Sequence, residues 1–178
     1  QMRLAAEAPH RSEMLGALEW WENELRQWQV EIRLGTRVDS SDNVDADEVI
    51  WALGAESGNT SVWRLRPWLR DGIPGARGLP YSREVLDGQK SLKGHVLIID
   101  EEGGWSALSL AETLVGQEGI NALTVVTTES VWGAADLTFT RELAHVSTRI
   151  KEAGIEVICD VVVEEVVDKT VVTRDGRK

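Results

Sequence analysis

The residues whose types and spacing could do chemistry lie in HVLIIDEEGGWSALSLAETL, from His95 to Leu114. An unbroken apolar run, a glycine pair and a helix-like pattern follow one another, which outlines a strand, a phosphate-cradling turn and a helix. In a dinucleotide-binding turn, G-x-G-x-x-G/A, the first small residue permits a tight exit from the strand. The second lets the backbone approach a pyrophosphate, and the third lets the helix pack close to the sheet. Counted back from Ala111–Glu112, those three places hold Glu102, Gly104 and Ala107. Gly104 and Ala107 fit; Glu102 does not. The candidate cradle is therefore the backbone of Gly103, Gly104, Trp105, Ser106 and Ala107. Glu129, closing the next apolar run TVVTTES, is the candidate for the ribose hydroxyls, with a plain surface glutamate as the commoner reading.

The charges around this turn oppose its shape. A side chain at the first position is expected to resist the backbone conformation required there, and Asp100, Glu101 and Glu102 set negative charge beside a helix N-terminus that would otherwise draw phosphate. Two unit charges ~5 Å apart at an effective dielectric of ~20 repel by about 3 kcal/mol. The helix dipole offers an exposed anion only about 0.3–1 kcal/mol. Repulsion wins on these magnitudes, and acids here could cap the helix in place of a phosphate. The expectation is a dinucleotide fold without a dinucleotide, with a working NAD(H) site as the alternative.

Stepping outward, the turn needs a sheet and helices to hold it. HVLIID (95–100), ALTVVTT (122–128) and the run IEVICDVVVEEVVD read as strands, with KTVVTRDG adding a further strand after a turn at Asp168–Lys169. Ser106–Val115 and Thr138–Ala153 read as helices, the second carrying Leu143, Val146 and Ile150 on one face and stopped by Gly154. Strand, helix, strand, helix, strand is the order of a parallel α/β sheet. Upstream, Ser12–Trp28 is periodic enough for an amphipathic helix with Ser12 as N-cap, while EIRLGTRV (31–38) and EVIWALG (48–54) read as strands. A proline- and glycine-rich stretch follows, with one short helix near Ser82–Leu86. The expected fold class is α/β: a Rossmann-like dinucleotide-binding lobe with a parallel sheet over 94–178, joined by a connector over 67–93 to an incomplete FAD-like lobe over 1–66.

Bulk composition removes several classes of function. The 178 residues carry a net charge of −11, which repels nucleic acid and anionic membranes. No run approaches the ~20 apolar residues of a membrane span, and no signal-peptide pattern opens the sequence, so a cytoplasmic location is expected. The one cysteine, Cys159, cannot build an internal disulfide or a cysteine-ligated cluster. His10, His95 and His145 are too scattered for a metal set, and no nucleophile stands at a sensible spacing from a base. Catalytic and metal-ligating residues are therefore expected to be none. Of the eight tryptophans, Trp105 and Trp132 lie near the presumed mouth of the turn, with packing preferred over stacking on adenine. The opening at Gln1 and the unreturned strand TVVTRDGRK suggest a piece of something larger.

Three segments read together carry a family resemblance. QMRLAAEAPHRSEM before an amphipathic helix, ADEVIWALGAES with its turn at Ala52, Leu53, Gly54 and Ala55, and IPGARGLPYSREVLDGQKSLKGHVLIID resemble the C-terminal half of multidomain NADH:flavin oxidoreductases. These are the old yellow enzyme-related proteins of the 2,4-dienoyl-CoA reductase and trimethylamine dehydrogenase group. The resemblance implies a parent whose TIM barrel carries FMN and a [4Fe–4S] cluster, and whose FAD-like lobe holds FAD or ADP, with Ala52 and Gly54 as further cofactor-binding candidates. It implies no cofactor for this piece alone. Its partners would be the remaining domains of the parent chain, with an electron-transfer protein as an alternative. Glu102, where an intact reductase turn keeps glycine, is similar to the trimethylamine dehydrogenase branch.

Overall fold

The computed structural model describes residues 2–40, 44–54, 66, 68, 69 and 71–175. Two helices open it, α1 (Met2–Glu7) and α2 (Met14–Gln27), packed on each other and tied by Arg3 to Glu22 at 2.5 Å. The periodicity of α2 made a helix as expected, but its N-cap is Glu13 with no side-chain bond, so the Ser12 cap does not form. Helix α1 was not legible in the sequence. Neither 31–38 nor 48–54 joins a ladder among the described residues, against the strands expected there. A strand of this apolar kind is stabilised by neighbours on both edges and both faces. Ile32, Leu34, Ile50 and Leu53 instead remain exposed, with no described strand beside them.

The C-terminal lobe is built as the alternation of periods required. Strands β1 (Gly94–Asp100), β2 (Ile120–Thr127) and β3 (Glu156–Ile158) form a parallel sheet in the order β1-β2-β3, with Ile98 opposite Val125 and Val125 opposite Val157. Short helix α3 (Ser82–Leu86) precedes β1, and α4 (Trp105–Leu114) joins β1 to β2. The return from β2 to β3 is α5 (Ala134–Thr140) followed by α6 (Leu143–Glu152), where the periodicity had suggested one helix over 138–153. Arg141 breaks it by turning left-handed at φ 61°, and Glu142 N–H then donates back to the Leu137 carbonyl. Gly154 ends α6 as expected, left-handed at φ 70°.

The core forms on two faces of this sheet. On one, Val96, Ile98, Leu123 and Val125 meet Leu108, Ala111 and Leu114 of α4 and Val146 and Ile150 of α6. Each fully buried leucine or valine there contributes roughly 1.5–3 kcal/mol of transfer free energy. On the other, Ile99 and Val126 are covered by a hairpin, β4 (Val161–Val167) and β5 (Thr170–Asp175), and by Leu69, Ile73 and Ala76 of the connector. The hairpin turns through Asp168 and Lys169, both left-handed, which matches the right-handed twist of the flanking strands. The connector is locked to it: Val166 N–H donates to the Pro74 carbonyl at 2.9 Å, and a Cβ on Gly75 would sit 1.8 Å from the Val166 oxygen. The connector is thus part of the packed lobe over these residues.

Candidate functional site

The turn between β1 and α4 joins a parallel strand to a helix N-terminus, and its left-handed residue is Gly103, at φ 67°, and not Glu102. This corrects the steric expectation. Glu102 needs no special conformation and its side chain is exposed. Gly104 is the N-cap of α4 in extended backbone, φ −109° and ψ −175°, which any residue adopts. Ala107 is buried and lets the helix sit close to the sheet, as expected.

Carboxylates take several of the amides of this turn. Asp100, at the end of β1, turns inward: its Oδ1 accepts from the N–H groups of Glu102 at 3.0 Å and Gly103 at 2.9 Å. Its Oδ2 accepts from the indole N–H of Trp132 at 2.6 Å. Burial pushes this carboxyl above its ordinary value; the three donors oppose that rise, and the charge of Asp136 adds to it. Asp136, in the first turn of α5, places Oδ2 3.2 Å from the Trp105 N–H and 3.0 Å from where a Cβ on Gly104 would stand. It was missed in the sequence because it lies 31 residues away. The only local signal was an acid three positions after Gly133.

The other two acids of the run do different work. Glu101 is buried against Arg66, whose Nη2 comes within 2.7 Å of Oε2 while Nη1 donates to the Val163 carbonyl at 2.6 Å. The Nη2–Oε2 approach is a charge contact outside hydrogen-bond geometry, and Arg66 Nε has no partner among the described residues. Of the three acids of the run, Glu101 is thus paired with Arg66 and Asp100 is turned inward, which leaves Glu102 exposed, with Asp136 added from α5.

The remaining candidates fall around the same turn or well away from it. Glu129 lies over Gly103, its Cγ 2.4 Å from where a Cβ would stand, so it does reach the turn. Ser106 is exposed and bonds Ser82 Oγ of α3 at 2.5 Å. One face of Trp105 is covered by the Arg11 guanidinium, 3.1 Å from the ring centre, and desolvation there lowers the Arg11 pKa. Trp132 is in the core. Neither indole is an open adenine platform. Glu112 holds Arg149 of α6 at 2.7 Å, and its charge also acts on Arg11 of the N-terminal segment. Ala52 and Gly54 stand in an exposed irregular segment, beside a hollow of about 640 Å³ bounded by Thr36–Asp39, Trp51 and Leu53. A second hollow, about 480 Å³, runs between α6 and β3 and is walled by Trp132, Val146, Ile150 and Val157, with Cys159 at its edge. Among the described residues no cluster of histidine, cysteine and carboxylate could hold a metal ion, and no helix is long and apolar enough to cross a membrane.

No protein-family model matches the chain. It is 29% identical over 137 residues to the N,N-dimethylglycine/sarcosine dehydrogenase of Chromohalobacter salexigens, covering 76% of this chain and 19% of that protein. Among solved structures, the 6-hydroxypseudooxynicotine amine oxidase of Pseudomonas geniculata N1 superposes with a TM-score of 0.79 at 25% identity, over 98% of this chain and 26% of that one. A 2-naphthoyl-CoA reductase shares the fold, with a TM-score of 0.66 at 14% identity over 97% of this chain and 24% of that one. The chain spans about a fifth to a quarter of the length of the proteins it matches. The resemblance to flavoprotein oxidoreductases read from the sequence is supported at the level of that broad group.

Proposed function

We propose that this chain is the nucleotide-fold region of a flavin-dependent oxidoreductase of the amine-oxidising or enoyl-reducing kind, acting there as a scaffold and not as a hydride port. Two likenesses support the parent: an amine oxidase matched over 98% of this chain, and an N,N-dimethylglycine/sarcosine dehydrogenase matched over 76%. The observation that carries the role is the turn itself, where Asp100 and Asp136 already hold the amides of Glu102, Gly103 and Trp105. A diphosphate would have to displace a carboxylate to use the Trp105 donor.

The group chemistry of the parent lies outside these residues. A [4Fe–4S] cluster takes cysteine thiolates, and a single partly buried Cys159 does not fit it. FMN, and FAD or ADP in the N-terminal lobe, belong to the proposal through the family resemblance alone. In the same reading the face of α2 that leaves Trp20 and Trp21 exposed meets the parent's other domains. Calorimetric titration of this chain with NADH, NADPH and ADP is expected to show no binding below the millimolar range; micromolar NADH binding would overturn the scaffold role.

One observation favours a second reading. Glu129 reaches Gly103 from the end of β2, which is where an acid must stand to hold ribose hydroxyls. In a working NAD(H) lobe, E129A would weaken NADH binding; in a scaffold it leaves the titration blank.

A further inference from the structure

We propose that Asp136 is the specificity-determining residue of the turn, an internal anion that occupies the diphosphate's seat and so rejects phosphorylated ligands. The inference rests on the scaffold reading and names the group responsible for it. Three observations carry it. Gly104 is extended and has no conformational need to be glycine. What its bare face admits is the Asp136 carboxylate, whose Oδ2 would lie 3.0 Å from any Cβ placed there. The same oxygen accepts the Trp105 N–H at the first residue of α4, the amide that a phosphate oxygen would use.

The anchoring of α5 makes this occupancy a fixed feature. Gly133, left-handed at φ 82°, caps the helix, and a Cβ there would lie 2.7 Å from Leu137 Cδ1. Leu137 is fully buried in the core shared with α4 and β1. Asp136 is thus carried on a seated helix, one residue from a core anchor, and does not swing out of the seat with a loop. Its own side chain is on an exposed residue, so changing it leaves that anchor in place.

Two variants separate charge from space. D136N keeps the size and an oxygen for the Trp105 N–H while removing the negative charge; D136S also clears the seat. Inorganic pyrophosphate and ADP are the probes, followed by calorimetry and by the amide resonances of Trp105 and Ser106. The expected result is that both variants bind pyrophosphate at least about tenfold more tightly than the wild type, with the Trp105 amide shifting on addition. Variants that keep the wild-type unfolding midpoint yet gain nothing would overturn the proposal, as would a gain that leaves the Trp105 amide unmoved. If one variant loses its midpoint, the other carries the comparison. Micromolar NADH binding by the wild type would sink the scaffold reading and this proposal with it; a blank wild-type titration with no gain in the variants would overturn the Asp136 assignment alone.

Discussion

Helices α2 and α6 are alike in pattern and opposite in fate. Both repeat apolar residues at three- and four-residue spacing. Helix α6 buries Val146 and Ile150 against the sheet, whereas α2 buries nothing and leaves Trp20, Trp21 and Leu25 exposed, with Trp28 just beyond its end 77% exposed. The contrast extends to the strands: HVLIID found β2 beside it, while EIRLGTRV and EVIWALG found no ladder among the described residues. Periodicity states which face needs cover. Only a second layer supplies it.

The sharpest way to test that contrast is to cut where the covered lobe is tied together. Arg66, directly before the connector, links the turn and β4 through Glu101 and the Val163 carbonyl, and both charged side chains are nearly out of water. R66M strands the Glu101 carboxylate and should cost about 3–5 kcal/mol, while R66M with E101L should recover much of it. Urea unfolding of the four members of the cycle measures the coupling; a single variant as stable as the wild type would show that the clamp contributes nothing.

Leu108 gives the next largest effect. It is fully buried between α4 and the sheet, so L108A should lose about 2–5 kcal/mol through lost transfer energy and the cavity left behind. A loss under about 0.5 kcal/mol, the range of surface substitutions, would mean that the core is not packed as described.

Asp100 sharpens the comparison by pH. D100N turns an amide N–H toward the Trp132 indole N–H and should cost about 1–3 kcal/mol for the orphaned donor. The sign of the pH dependence follows from burial raising the folded-state pKa. The protonated form is favoured in the folded protein, so Asp100's contribution is full below its ordinary value of 3.8 and is lost as pH rises through the raised value. The stability gap between wild type and D100N should therefore be widest in acid and narrow as pH rises from about 4. A gap that widens with pH would refute the direction of the shift.

The strands, helices and hairpin of the C-terminal lobe were legible because each depends on local signals: period two in β1, period near 3.6 in α4 and α6, Gly154 as a stop and Asp168–Lys169 as a turn. The break at Arg141 was not, since a left-handed arginine has no sequence signature as strong as glycine's. The turn was legible as a turn, and Gly103, Gly104 and Glu129 do converge there. Its occupants were not. Asp100 and Glu101 were read as charges facing a ligand, yet one turns inward to amides and an indole and the other pairs with Arg66 across 35 residues (66 to 101). Asp136 entered from another helix altogether. Which partner a carboxylate selects is a tertiary fact, fixed by packing and invisible to spacing.

The smallest expected effect is also the one that bears most directly on why α2 is bare. Trp20 is 58% exposed and Trp28 77% exposed, so truncating either forfeits little buried area. W20A and W28A should each change the stability of this chain by no more than about 0.5 kcal/mol, because surface substitutions away from buried networks fall in that range. An indole of this size that contributes nothing locally is costly to leave in water, since aromatic rings supply much of the energy of buried interfaces. If the face of α2 meets other domains of the parent, the same substitutions made in the full-length protein should cost about 3–5 kcal/mol, the range for a buried aromatic truncated to alanine. Measuring W20A in both settings decides it. Equal, near-zero effects would mean that α2 is a solvent-facing helix with an unusual surface, and the contrast with α6 would then be one of sequence composition alone.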